Sequence, residues 1–206
     1  MMAIDNNARD KITGLVLAGG QGSRFGGQDK GLIELHGRPM IEHVLSKLVP
    51  QVGKVLINAN RNVESYAGYG YEVVSDAHAG YQGPLAGIAS GLQAATSEYL
   101  LCVPCDSPLL LPDLAERLYT ACTRRAAQIA IPHDGQRAHP VFALIECALR
   151  DSLEDFLAGG ERKIIRWMSD HQMITVDFSD AASSFSNINT EDDLDSATRI
   201  LTQETS

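Results

Sequence analysis

Short apolar runs alternate along this chain with longer stretches whose apolar positions recur at the helical period. Ile12 to Leu17 is nearly all apolar, the pattern of a strand buried on both faces. Between Pro39 and Leu48, residues Ile41, Val44, Leu45 and Leu48 share one helical face, with Pro39 near the first position. Lys54 to Asn58 predicts a second strand, and Glu72 to Val74 a third that runs into Ser75 and Asp76. Gly83-Pro84 opens a helix carrying Leu85, Ile88, Ala89 and Leu92 at helical spacing. Tyr99 to Val103 is a fourth strand, ending at Cys105-Asp106, and a helix follows from Pro112 to about Cys122. Further on, Ile129 to Pro132 and Val141 to Ile145 predict strands joined by the polar loop His133 to His139. Helices follow over Ala148 to Leu157 and Arg162 to Ser169, broken at Gly159-Gly160. Met173 to Phe178 is the last strand. Thr190 then caps a terminal helix, with Asp193 three residues on as a shorter version of the capping box.

This alternation predicts an α/β fold: a mostly parallel, Rossmann-like sheet between helical layers, a three-layer sandwich. A length of 206 residues without repeats or low-complexity stretches predicts one domain over 1–206, with 1–11 a polar, flexible terminus. In open α/β sheets ligands bind outside the carboxyl ends of the strands. The polar loops Gly19–Lys30 and Asn58–Arg61, with Asp76 and Asp106, all follow strands, so they converge on that mouth.

The net charge of −9 repels nucleic acid and anionic membranes, and no basic run offsets it. An anionic ligand therefore needs a local reversal of charge by a metal, a few cations or backbone amides. The segment Met1 to Lys11 lacks the apolar core of a signal peptide, and no apolar run approaches a membrane span. A cytoplasmic protein is expected.

The loop from Leu17 to Lys30 supplies the reversal. Its glycines let the backbone approach a ligand and turn N–H groups toward an anion, and Arg24 and Lys30 add positive charge. A Walker loop is excluded because Lys30 follows Asp29 and precedes Gly31; a dinucleotide fingerprint is excluded because Phe25 stands where glycine or alanine is needed. Asp106, at a strand end facing the same mouth, suits Mg²⁺, which takes one or two carboxylates and fills its remaining positions with phosphate oxygens and water. Asp76 could accept from a ribose or base, or begin the turn toward Gly80. Asn58 and Asn60 could contact a nucleoside or bond only to their own loop. Cys102 and Cys105 have C-x-x-C spacing, open to a redox dithiol or half a zinc site. No second ligand pair exists and Pro104 separates the thiols, which favours small buried residues at a strand end. The six histidines show no ligand-like spacing, and no nucleophile elbow is present. Phosphoryl transfer requires neither, since alignment and charge neutralisation suffice.

The loop Leu17-Ala18-Gly19-Gly20 through Arg24-Phe25-Gly26 to Lys30 resembles the signature of the molybdenum cofactor guanylyltransferases, with Phe25 in place of the usual Met. The likeness continues through Asn58-Ala59-Asn60-Arg61, Asp76, Gly83-Pro84-Leu85-Ala86-Gly87 and Pro104-Cys105-Asp106. It also covers Asp134 to Pro140 and Asn187-Ile188-Asn189-Thr190, thus nearly the whole chain from about Ile12 to Leu194. The resemblance implies a nucleotide-diphospho-sugar transferase type of fold, with a GTP-binding part over about 12–110 and a pterin-side part over about 111–206. It implies transfer of GMP from GTP to molybdopterin cofactor, giving the guanine dinucleotide cofactor and pyrophosphate. Leu17, Ala18 and Gly19 would line the GTP site, Lys30 would contact phosphate, and Asn58 and Asp76 would hold the nucleoside. Asp106 would bind Mg²⁺ and touch GTP, and Arg24 would help neutralise the triphosphate. Arg137, His139, Asn187 and Asn189 are the candidates for the pterin side. A monomer that transiently meets cofactor-insertion proteins or molybdoenzymes is also implied.

Two other classes fit parts of the pattern. A cytidylyltransferase for the same pterin, or a sugar-phosphate nucleotidyltransferase, shares the sheet and the metal aspartate. The cytidylyl relatives usually carry Ala-Ala-Gly where this chain has Ala18-Gly19-Gly20, which favours guanine. A non-catalytic nucleotide-binding module would need the glycine loop but not Asp106.

Overall fold

The computed structural model describes residues 5–18, 27–77 and 83–204. Gly19 and Arg24 lie outside the described residues, with the rest of 19–26 and with 78–82. Strand β1, Ile12–Leu17, is buried along nearly its full length. A strand without a polar face needs neighbours on both edges and cover on both sides. It pairs in parallel with β4, Lys54–Asn58, and with β6, Tyr99–Pro104. In these ladders Leu17 stands opposite both Asn58 and Pro104, so three strands end level.

The full sheet has the order β5-β4-β1-β6-β8-β7-β9, with β5 at Glu72–Val74, β7 at Ile129–His133, β8 at Leu144–Glu146 and β9 at Met173–Asp177. β8 runs against both neighbours, and the other six strands run one way. β8 begins three residues later than its apolar run suggests. Pro140 and Val141 form a turn closed by Phe142 N–H donating to the His139 carbonyl at 3.0 Å, so they join no ladder.

Alternate strand residues feed two cores. On one face Val16, Ile57 and Leu101 pack under α2, Met40–Leu48, and α5, Leu114–Arg125. On the other, Leu15, Leu56 and Leu100 pack under α4, Pro84–Ala94, α6, Arg150–Ala158, and α7, Ile164–Ser169. The architecture is therefore the expected three-layer sandwich on a mostly parallel sheet. No helix of the described residues is long and apolar enough to cross a membrane.

Three elements escaped the periodicity. Asn6–Asp10, inside the terminus read as flexible, form α1, whose Arg9 donates to the carbonyls of Val52 and Val49 at 2.9 and 3.3 Å. Val63–Ala67 form α3, too short for a face to repeat. Glu34–Leu35 and Arg38–Pro39 form the hairpin β2–β3, turned by His36 and Gly37 at positive φ. That hairpin is covered by the terminal helix α8, Glu191–Glu204, through Leu35, Met40, Ile188 and Ala197. At the start of α8 the expected capping box is present: Thr190 Oγ1 accepts from Asp193 N at 3.2 Å, and Asp193 Oδ2 accepts from Thr190 N at 2.9 Å.

Candidate active site

The level ends of β1, β4 and β6 carry their ladders one step further. Ala18 N donates to the Asn58 carbonyl at 2.8 Å, and Cys105 N donates to the Leu17 carbonyl at 3.1 Å. The start of the glycine loop is thus clamped between the Asn58 and Cys105 loops. The chain returns to this mouth at Asp29 and makes a single 3₁₀ turn, Lys30–Leu32.

Lys30 Nζ lies 2.9 Å from Asp106 Oδ2 and 2.6 Å from Asn189 Oδ1. The Lys30 and Asp106 side chains are 17% and 12% exposed, so water screens the pair less than it screens a surface ion pair. The C-terminal segment closes over them. Ile188 N donates to the Asp106 carbonyl at 2.8 Å, and Ser107 Oγ donates to Asn187 Oδ1 at 3.0 Å. Asn187 and Asn189, expected on the pterin side, therefore stand beside Lys30 and Asp106. Asn189 is itself held by Asp193, whose Oδ2 accepts from Asn189 N at 2.9 Å. The amides of Asn189 and Thr190, together with the Thr190 hydroxyl, keep the Asp193 carboxyl below the usual carboxylate range.

A second cluster forms at the ends of β4 and β5. Asn58 Nδ2 donates to Asp76 Oδ1 at 2.9 Å, and Asn60 Nδ2 donates to Asp76 Oδ2 at 2.8 Å. Asp76 N returns a bond to Asn60 Oδ1 at 2.8 Å. Both asparagines thus bond to the aspartate, which is half-buried and keeps further acceptor capacity on its two oxygens. Gly87 of α4 permits this: a Cβ there would sit 2.3 Å from Asn58 Oδ1 and 2.8 Å from Leu17 Cδ2. Leu17 and buried Ala18 complete this wall.

The loop after β7 behaves differently. Asp134 Oδ1 accepts from Gln136 N and Arg137 N at 2.8 and 2.7 Å, and Oδ2 meets His139 Nε2 at 2.7 Å. The Arg137 amide first, then His139 and the Gln136 amide, hold the Asp134 carboxyl well below the usual range. His139 is buried and stacks on Phe185 with ring centroids 5.0 Å apart. It therefore locks the loop, while the Arg137 side chain is exposed. No hydrogen bond joins either residue to Lys30 or Asp106 among the described residues.

Cys102 and Cys105 face opposite sides of the sheet, one in each core. Burial pushes both thiols upward in pKa, so they stay protonated. They are the small buried residues the sequence favoured. Asp29, Asn62 and Tyr66, which the sequence reading assigned no role, form a network beneath Lys30; their spacing carries no motif that would have grouped them.

Among the described residues no group of three or more His, Cys, Asp or Glu gathers as a metal cage. The donor chemistry nevertheless fits a divalent cation bound with a nucleotide. One carboxylate at the mouth leaves most coordination positions for phosphate oxygens and water, the habit of Mg²⁺.

A mostly parallel sheet whose first strand leads into a glycine-rich sequence, with lysine and aspartate meeting beyond the next strand end, is the arrangement of a nucleotidyltransferase class of enzyme. Residues 14–173 match the MobA-like NTP transferase domain, and the chain belongs to that family. It is 48% identical over 180 residues to the molybdenum cofactor guanylyltransferase of Shewanella loihica, covering 87% of this chain and 92% of that protein. The protein of the same name from Shewanella putrefaciens is 46% identical, with coverage of 87% and 92%. Among solved structures, molybdopterin-guanine dinucleotide biosynthesis protein A from Archaeoglobus fulgidus superposes with a TM-score of 0.79 at 28% identity, over 93% of this chain and 99% of that one. The 4-diphosphocytidyl-2C-methyl-D-erythritol synthase of Anaerococcus prevotii shares the fold, with a TM-score of 0.68 at 17% identity over 94% and 99%. Nucleotidyltransferases of this kind generally use a divalent metal.

Proposed function

We propose that the protein transfers GMP from GTP to the terminal phosphate of molybdopterin cofactor. A phosphate oxygen of the pterin attacks the α-phosphorus of GTP. The bond from that phosphorus to the bridging oxygen breaks, and pyrophosphate leaves with the electron pair. The observation that carries this reading is the Lys30–Asp106 pair, in contact just beyond the level ends of β1 and β6.

Each group has work suited to its place. Lys30 offsets the negative charge of the phosphates, and Arg24 and the loop amides from Gly19 onward would add to it. Leu17 and Ala18 wall the nucleotide, and Asn58 and Asp76 hold the nucleoside. Asp106 would hold Mg²⁺, which when bound neutralises the phosphates and the departing pyrophosphate. Asn187 and Asn189, beside Lys30 and Asp106, would meet the pterin side of the reacting phosphates. Arg137, on its locked loop, attracts the pterin phosphate, and His139 keeps that loop in shape. No group on the enzyme has to act as a nucleophile, because alignment and charge neutralisation supply the catalysis. The product's onward transfer implies brief contact with cofactor-insertion proteins or molybdoenzymes.

The test is to incubate the protein with molybdopterin cofactor, Mg²⁺ and either GTP or CTP, and to read products by mass spectrometry. The guanine dinucleotide and pyrophosphate are expected. A cytosine dinucleotide formed in preference would overturn the base choice; no dinucleotide from either would overturn the reaction.

A further inference from the structure

We infer that Asp29 is a positioning residue for Lys30, acting through Tyr66 and Asn62. A lysine carries about 2 kcal/mol of rotamer entropy, which must be lost if its ammonium is to hold one position. Something must therefore hold the backbone on either side of Lys30. Asp29 does so from below. It is 7% exposed, and it accepts hydrogen bonds from the Tyr66 hydroxyl and Gly31 N on Oδ1 and from Asn62 Nδ2 on Oδ2. Tyr66 is fully buried in α3, and Asn62 stands just before that helix with φ near 50°. Burial and the neighbouring thiol and carboxylate push the phenol upward in pKa, so it remains a donor.

The residue after Lys30 is held as tightly. A Cβ on Gly31 would lie 2.6 Å from the Tyr66 hydroxyl and 3.4 Å from Cys105 Sγ. Gly31 is therefore wedged between Tyr66 of α3 and Cys105, the residue that follows β6 and precedes Asp106. Lys30 is fixed by its two chain neighbours, and its ammonium lands on Asp106 and Asn189 as a consequence.

A buried carboxylate is a costly way to anchor a short helix. Removing it from water is unfavourable unless its oxygens are fully bonded, and an apolar contact would join α3 to the loop at less risk. The network is explained by what it presents. It holds the backbone from which one ammonium reaches Asp106 and Asn189, as supporting groups behind a site residue do.

This inference rests on the proposed transfer only for its kinetic consequence, so the test has two arms. In the first, the slowly exchanging Lys30 ammonium is followed by NMR in the ligand-free protein, assigned by its loss in Lys30→Arg. Wild type and Glu64→Gln, a change on the exposed side of α3, should show it; Tyr66→Phe and Asp29→Asn should lose it. In the second, Tyr66→Phe should lower kcat about 10- to 100-fold while KM for GTP changes by less than about 3-fold, the sign of an interaction realised in the transition state. A Tyr66→Phe protein that melts earlier but keeps both the Lys30 signal and wild-type kcat would sink the inference. If Asp29→Asn does not fold, Tyr66→Phe alone decides. If wild type makes no dinucleotide, the transfer reaction fails, and the NMR arm still decides the positioning.

Discussion

Lys30 and Asp106 each solve the other's burial problem. A carboxylate shielded at a strand end needs a cation nearby, and an ammonium on a glycine loop needs a fixed anion to meet. Their contact at 2.9 Å brings together residues that lie 76 positions apart. It also means that removing Asp106 takes the charged partner from Lys30 and leaves it only Asn189 Oδ1 at 2.6 Å. Asp106→Ala is expected to lower kcat by at least about 100-fold, the scale of losing one charge-stabilising contact in the transition state, with an unchanged far-UV spectrum. Near-normal Mg²⁺-dependent turnover in that variant would count against Asp106 as the metal holder. Both residues were legible in the sequence, because a glycine loop and a strand-end carboxylate each have their own signature. Asp29 was legible only as a letter in the loop. Its partner Tyr66 belongs to α3, whose five residues show no periodicity, and Asn62 stands just before that helix.

At the level of elements, α8 is tied to the chemistry. Its cap carboxylate, Asp193, serves the helix through Thr190 N and the site through Asn189 N, and Asn189 holds Lys30. A side-chain cap contributes about 1 kcal/mol to stability. Asp193→Ala should cost about that much in urea unfolding and should also lower kcat, because Asn189 is no longer held. A variant with the stability loss but full kcat would confine Asp193 to capping. The cap itself could be read in advance from Thr190 and Asp193. That α8 lies across the β2–β3 hairpin could not, because Leu35, Met40, Ile188 and Ala197 meet only when the chain doubles back. The strand β8 shows the opposite limit. The apolar run Val141 to Ile145 marks a strand, but the turn at Pro140 delays its pairing until Leu144.

For the whole molecule, several carboxylates couple stability to pH. Asp134, Asp177, Asp180 and Asp193 are all held below their ordinary range by amide, guanidinium or hydroxyl donors in the folded state. The unfolded chain therefore binds their protons more readily. Their contribution is present at neutral pH and is lost as pH falls through the ordinary carboxylate range toward the lowered folded values. Asp134 has the largest network, so Asp134→Asn should flatten the acid fall of the melting temperature between about pH 5 and pH 2. An unchanged slope would place the acid sensitivity elsewhere. By itself the sequence determined the α/β class, the strands that carry the site and the loops that end them, because periodicity and turn chemistry are local. It also marked the glycine loop and Asp106 as candidates, since the proposed chemistry needs particular residue types close together. Only the tertiary structure decided which face each thiol of the C-x-x-C takes, that Asn189 reaches Lys30, and that His139 locks a loop. It also decided that Asp29 sits under Lys30. These are contacts between residues far apart in the chain, and nothing in the local pattern specifies them before the sheet brings its strand ends level.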